Sequence, residues 1–428
     1  MTNTNLQKAI KFIFFPALLL SMLLSCSSTL FHFSQNALIG NQLGFAQIPA
    51  LKVSTILPQV ILAISLLIFS IYKPFEKVFR GTLIALTGVI VLLTGLMFFQ
   101  ERLALNGVSE AFGIYKPLIA HWPISLMYIV LSVFNFSLYS LFVWGFINRL
   151  TPLFDGIKYY IPLAFVLGVA GAIVSNLGLI VIGASKWPLM AMIIPAIVLM
   201  VCSFFTFNWS WKRLPDTLIQ SQGSSVSQIR FPFLSAAYLL AGAAMIKSFL
   251  DILFKSELKT QLPDAASYSK FMGAYSISIG SATIAISIIW AVLGTCLILK
   301  KGWKTTSLYA SLSILVGGII FLSFSSSWLG QGVFNGLLLG TASALFFPLI
   351  QILYLYLPYQ NRFKTKIVTE MIALPLMKAI PSLTMQGLLV AFGSIAAIAL
   401  YLKILVPILM VLLIIASYRA SLKTFDKP

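Results

Sequence analysis

The sequence predicts an all-α polytopic membrane protein: twelve transmembrane helices in two six-helix halves, with both termini cytoplasmic. Three observations predict it. Of 428 residues, 59% are apolar and only 9% charged, against about 25% charged in ordinary soluble chains. The mean hydropathy is +0.98 over the whole length, so most of the mass needs lipid rather than water around it. Lys and Arg are also distributed unevenly between the two ends of successive apolar runs. Soluble enzymes, coiled coils, disordered chains and secreted disulfide scaffolds are excluded on these grounds.

A bilayer-crossing helix needs about 20 apolar residues. Twelve runs of that kind follow one another, separated by Lys, Arg, Pro and Gly clusters: Phe12–Ile39, Val53–Tyr72, Gly81–Phe99, Pro123–Ile147, Tyr160–Ile182, Pro188–Phe207, Pro232–Phe254, Phe271–Leu299, Thr305–Phe324, Gly330–Leu355, Ile367–Phe392 and Ile395–Ala416. The longest intervals, Gln100–Trp122 and Asn208–Phe231, read as water-exposed loops. The second holds Pro215 and the Ser- and Gln-rich stretch Gln220–Gln228, the composition of a linker. It divides the chain into an N-terminal half (1–207), a cytoplasmic linker (208–231) and a C-terminal half (232–428).

Twenty-nine Lys and Arg against ten Asp and Glu give a formal charge of +19, which in a soluble protein would point to nucleic acid. Here it orients the spans. Seven basic residues fall on the side opposite the termini (Lys52, Arg102, Lys116, Lys186, Lys255, Lys259 and Lys270), three fall within runs (Lys247, Lys378 and Lys403), and the other nineteen fall on the side of the termini. Positive residues are retained in the cytoplasm. The charge is therefore a topology signal, and no nucleic-acid partner is expected.

Cys26, Cys202 and Cys296 lie far apart in apolar runs and are expected to be buried thiols. His32 and His121 are too distant from each other to seed a metal site. No phosphate-binding glycine loop or nucleophile elbow is present, so an enzyme is not expected and no cofactor is implied. Leu24-Ser25-Cys26 has some likeness to a lipoprotein signal, but the apolar run continues past it to Ile39.

Ionisable residues are costly in the bilayer and mark pathways when they persist. Lys247, Asp251 and Lys255 share one helical face at i, i+4, i+8. They read either as an ion pair with Lys255 snorkelling at the helix end, or with Asp251 lining a central cavity. Glu370 and Lys378 stand eight residues apart, with Pro375 and Pro381 beside them to break the helix. Lys378 has no acid within one turn and invites an anion; the alternative is a distant partner such as Asp251. On the first helix Ser25, Ser27, Ser28, Thr29, His32, Ser34, Gln35 and Asn36 form a polar stripe, open to helix packing or to recognition of a base, sugar or amide. Ser132, Asn135, Trp144 and Asn148 give the fourth helix a similar lining.

Ile10-Lys11-Phe12 returns as Ile229-Arg230-Phe231, an offset of 219 that sets His32 opposite Asp251. Parallel six-helix repeats of this kind resemble the organisation of major facilitator transporters, whose substrate sits between the halves.

Several further segments, in order, resemble the ATP:ADP antiporters of obligate intracellular bacteria and plastids. They are Gln47-Ile48-Pro49-Ala50-Leu51-Lys52, Trp144-Gly145-Phe146 with Asn148, Asp251 through Lys259 with Tyr268-Ser269-Lys270, and Gln386-Gly387-Leu388-Leu389 with Phe392-Gly393-Ser394. The resemblance implies nucleotide exchange (ATP/ADP or a related nucleotide) by alternating access in the bacterial inner membrane. Asp251 and Lys378 take the family's acidic and basic positions, and Glu370 its nearby acidic one. The first-helix charged cluster is replaced by His32, Gln35 and Asn36, the fourth-helix glutamate by Ser132, and an arginine by Pro375. The expected substrate-binding set is thus Lys378, Asp251, Glu370, Gln35, Asn36, His32 and Ser132, with Lys247, Lys255, Pro375 and Pro381 structural or gating. The partners expected are a nucleotide or related anion and the lipid bilayer, in a monomer. A less charged or non-nucleotide solute, or a transport-inactive scaffold or sensor, is the alternative.

Overall fold

The structure is a computed structural model that describes residues 3–38, 48–105, 107–151, 153–184, 188–212, 242, 245–246, 249–250, 265–323, 340–355, 357, 359–392 and 395–424. These residues are nearly all helical. The helices are α1 (Asn3–Leu38), α2 (Ile48–Ser54), α3 (Ile56–Tyr72), α4 (Phe75–Met97), α5 (Gln100–Leu103), α6 (Lys116–Ala120), α7 (Trp122–Ser137), α8 (Trp144–Leu150), α9 (Leu153–Ala184), α10 (Pro188–Lys212), α11 (Ala265–Ser323), α12 (Phe347–Leu355), α13 (Tyr359–Lys366), α14 (Leu374–Phe392) and α15 (Ile395–Thr424).

Most boundaries follow local chemistry. Lys73 is extended and Pro74 caps α4, as the backbone before and at a proline requires. Within α11 the chain breaks at Gly302, whose φ of 75° is open to glycine at little cost. That break falls in the Lys300–Lys304 interval expected between the eighth and ninth runs. Among the described residues, Phe15–His32, Ala50–Tyr72, Phe75–Met97, Met192–Lys212 and the 39-residue Ala282–Ile320 are long and apolar enough to cross a bilayer. Shorter apolar helices cover Trp122–Asn135, Lys158–Val174, Ala344–Leu355 and Ile404–Ala416.

The structure adds detail to two expectations and corrects a third. The interval Gln100–Trp122 is built of α5, a 3-10 helix at Glu110–Tyr115 and α6. Helix α10 runs on to Lys212, five residues into the expected linker, because Asn208–Lys212 includes two tryptophans and no helix breaker. Cys26 is half-buried, but Cys202 and Cys296 are exposed; they stand on apolar surface, where a small thiol meets lipid without penalty.

The chain forms two compact units. One comprises Met1–Thr151, Ile173–Ser225 and Pro358–Met371, the other Pro152–Ala172, Val226–Leu357 and Ile372–Pro428. In the first, α1 packs along α10 and α7, and an aromatic cluster fills the end where α4, α8 and α10 meet. Phe79 is 1% exposed, stacks on Phe207 at 4.0 Å and meets Phe142 edge-on at 4.7 Å. In the second, α11 packs along α15, and the indole of Trp303 donates to Leu349 O at 2.8 Å. Outward faces stay apolar: Leu57, Ile61, Ile64 and Ile68 are all at least 47% exposed along α3, a stripe stable only against lipid. Buried hydroxyls bond the carbonyl four residues back, as in Thr94→Ile90 and Ser210→Thr206, which satisfies them without water.

Among the described residues, three helices contain π segments: Leu138–Val143, Ala342–Phe346 and Ile367–Ala373. The first two share a local pattern. Asn148 follows Val143 by five residues and Gln351 follows Phe346 by five, and the two amides are 2% and 0% exposed. Gln351 lies in the fourth run of the expected C-terminal half, and Asn148 directly follows the fourth run of the N-terminal half.

Candidate functional site

Three members of the polar stripe of α1 bond neighbouring helices, while Thr29 and Ser34 donate to the backbone of α1 itself. Ser28 Oγ donates to Asn135 Oδ1 on α7, Phe31 meets Phe134 edge-on at 5.3 Å, and Gln35 Nε2 donates to Tyr128 O at 3.4 Å. As the α1 number rises by seven the α7 number falls by seven, so the two helices run antiparallel. Ser27 Oγ donates to Ala196 O on α10 at 2.9 Å. His32 lies between Ser28 and Gln35 on α1 and is exposed, and Ser132 is half-buried on α7. The structure thus places Gln35 at the seam between α1 and α7, with His32 on α1 and Ser132 on α7. Asn36 is in α1, with its side chain outside the described residues; Lys247, Asp251 and Lys255 lie outside them altogether.

The prolines do not break the eleventh run. Pro381 sits inside α14, and the helix absorbs Pro375 through the π segment Ile367–Ala373 just before it. A π turn already lacks regular i→i−4 bonding, so the donor missing from proline is less costly there. Pro375 and Pro381 are both buried. Lys378 is on α14, with its side chain outside the described residues. Eight residues separate it from Glu370, but the π segment changes their angular relation from that of a regular helix.

Glu370 is fully buried and paired with Lys366, Nζ to Oε1 3.4 Å, each side chain 1% exposed. Lys366 stands just before the eleventh apolar run. Burial pushes its ammonium down to about 8, against the Glu370 carboxylate, whose charge and hydrogen bond hold it up. One turn earlier, Arg362 is 7% exposed, and its Nη1 donates to Asn148 O at 2.9 Å and to Thr151 O at 3.4 Å. These are carbonyls of the kind left open at a helix C-terminus, and a cation there complements the helix dipole. Helix α8 ends at that point because Pro152 follows. Beside it Phe363 meets Phe75 edge-on at 4.9 Å, and the Arg149 guanidinium lies 4.8 Å over Phe75.

Within the first unit, residues 359–371 are therefore clasped to the end of α8 by a buried arginine and to the start of α4 by an aromatic edge, with a buried ion pair inside the segment. Sequence reasoning placed Arg362 and Lys366 only among the cytoplasmic charges. The i, i+4 spacing of Lys366 and Glu370 was the available signal for the pair. None existed for Arg362, whose acceptor Asn148 is 214 positions away. Among the described residues no group of His, Cys, Asp and Glu could hold a metal ion.

Residues 229–346 match the TLC ATP/ADP transporter family model. ADP,ATP carrier protein 1 of Chlamydia pneumoniae is 25% identical over 361 residues, covering 72% of this chain and 68% of the relative. ADP,ATP carrier protein 1 of Rickettsia prowazekii is 22% identical, covering 68% and 64%. ADP,ATP carrier protein 2, chloroplastic, of Arabidopsis thaliana is 24% identical, covering 71% and 54%. The matched stretch thus spans roughly half to two thirds of these relatives' length. The resemblance to the ATP:ADP antiporters holds over most of the chain, at low identity. Among solved structures, an outward-facing bacterial homologue of the iron transporter ferroportin aligns with TM-score 0.66 and 13% identity over 95% of this chain and 98% of that one. The proton:xylose symporter XylE, a major facilitator superfamily protein, aligns with TM-score 0.60 and 13% identity over 96% of each chain. The fold is that of major facilitator transporters, the described residues include several helices long and apolar enough to cross a bilayer, and the relatives from Chlamydia, Rickettsia and Arabidopsis are carriers.

Proposed function

We propose that this chain is a nucleotide carrier of the bacterial inner membrane that exchanges or imports its substrate by alternating access, with twelve spans and cytoplasmic termini. The observation that carries the reading is the 361-residue similarity to an ADP,ATP carrier, joined to a major-facilitator fold. In this reading Lys378 is the principal anion contact and Asp251 and Glu370 line the pathway. His32, Gln35, Asn36 and Ser132 recognise the less charged part of the substrate.

One observation favours a variant of this reading. From Phe15 to Leu38, α1 carries no Lys or Arg, and Ser27, Ser28 and Gln35 donate to neighbouring helices. A triphosphate is ordinarily held by several cationic or charge-assisted donors, so a less charged nucleotide or related solute fits this helix better than ATP. Uptake of radiolabelled ATP, ADP, AMP and a nucleoside into bacterial cells expressing the chain, with and without internal counter-substrate, tests both forms. Uptake of ATP and ADP supports the first and selective uptake of a less charged member the second. Uptake of none at matched expression refutes the nucleotide-carrier reading and leaves a carrier of a non-nucleotide solute or a membrane scaffold or sensor.

A further inference from the structure

The first unit holds a cleft of about 530 Å³ far along the chain from the clasp, lined by Leu51 and Ser54 of α2, Leu105, Tyr115, and Trp122 and Leu126 of α7 among others. Its volume is that of a small-molecule site, about 300–1,000 Å³. Three of its polar side chains, those of Ser54, Trp122 and Ser125, are turned away from an occupant. Ser54 Oγ donates to Ala50 O at 2.9 Å, Ser125 Oγ to Leu118 O at 2.9 Å, and Trp122 Nε1 to Leu103 O at 2.9 Å. With these three donors used internally and the rest of the lining apolar apart from the Tyr115 hydroxyl, the cleft gives water few of the partners it needs, and hydrocarbon suits it better. Two features define it further. The cleft opens onto apolar surface: Leu105 is 50% exposed, Leu126 37%, and the α3 stripe begins at Leu57, 68% exposed, three residues after Ser54. The chain that carries the walls also carries cations. Lys52 lies between Leu51 and Ser54, Lys116 follows Tyr115, and Arg102 stands on α5, with Glu101 as the acid beside it. These are three of the seven basic residues assigned above to the side opposite the termini, where positive charge is otherwise scarce.

We propose that this cleft binds an anionic phospholipid of the surrounding leaflet, its acyl chain between α2 and α7 and its phosphate at Lys52, Arg102 and Lys116. Apolar walls take up the chain, and basic side chains on the segments that carry those walls favour a negative headgroup. The site is independent of the carried solute.

The test is native mass spectrometry of the purified full chain released from bilayer discs containing equal phosphatidylglycerol and phosphatidylcholine. The wild type should retain one phosphatidylglycerol at least fivefold more often than phosphatidylcholine. Ser54→Phe, which fills the cleft, should lower that retention at least fivefold. Lys52→Gln with Lys116→Gln, both at half-buried positions outside the cleft lining, should keep a bound lipid but equalise the two headgroups. Equal retention of both lipids by the wild type, no retained lipid, or a charge variant that still prefers phosphatidylglycerol would each overturn the proposal. A second readout guards against misfolding of Ser54→Phe. Phosphatidylglycerol with brominated chains should quench the fluorescence contributed by Trp122, measured as wild type minus Trp122→Phe, and absence of that quenching refutes occupancy.

Discussion

Removing one member of the buried Lys366–Glu370 pair should cost far more than removing both. The charges are 3.4 Å apart and each side chain is 1% exposed, so at an effective dielectric constant of 20 their gross attraction is about 5 kcal/mol. Glu370→Gln keeps the shape and leaves the ammonium buried without its carboxylate. Lysine can escape by giving up its proton, which from an ordinary value near 10.4 costs roughly 4.6 kcal/mol at pH 7. That figure is a ceiling. The expected loss is about 3–4.5 kcal/mol, the range for breaking a buried pair. Lys366→Met combined with Glu370→Leu removes both desolvation penalties and should fall within about 1.5 kcal/mol of wild type, or above it. Reversible unfolding in mixed micelles, followed by tryptophan fluorescence, measures all three. A Glu370→Gln loss below about 1 kcal/mol, or a double variant as unstable as the single, would refute the argument. The pH dependence supplies a second check. The folded value of Lys366 is about 8 against an ordinary 10.5, so between them the unfolded chain holds the extra proton. The contribution of this group to stability should then rise with pH from 8 to 10.5 and stay flat below 8. In Glu370→Gln the rise should begin at lower pH, because the carboxylate no longer holds the proton on.

Three further outcomes are expected. Reporters fused after Gly223 and after Pro428 should both read as cytoplasmic and one near Gly107 as external; an external reading at either of the first two positions overturns the two-half topology. Arg362→Ala should destabilise by about 1.5–3 kcal/mol through the lost charge-assisted bonds to Asn148 O and Thr151 O, whereas Arg362→Lys, a point charge in place of a fork, should recover only part; unfolding midpoints decide, and an unchanged Arg362→Ala refutes the cap. Lys378→Gln should weaken substrate binding about tenfold or more while Lys403→Gln, able to snorkel, changes little; equal affinities in a direct binding assay would remove Lys378 from the site.

The helical membrane class, the break at Gly302 inside a lysine cluster and the turn at Lys73-Pro74 were determined by the sequence alone. Each depends on solvent preference or on a backbone restriction that acts within a few residues. The pairing of Lys366 with Glu370 was likewise legible, since i, i+4 places both on one face of any helix. Other features depended on packing between distant segments. Pro375 and Pro381 signalled a broken helix, yet the chain stays helical because the π segment at Ile367–Ala373 accommodates the altered bonding. The polar stripe of α1 carried no label separating substrate contacts from packing groups. The antiparallel docking on α7 made Ser28 and Gln35 partners of Asn135 and Tyr128, while His32 stays exposed. Arg362 looked like one more cytoplasmic charge until residues 359–371 met the end of α8. A guanidinium finds open carbonyls by proximity in space, and sequence separation holds no record of which helix end comes within its reach.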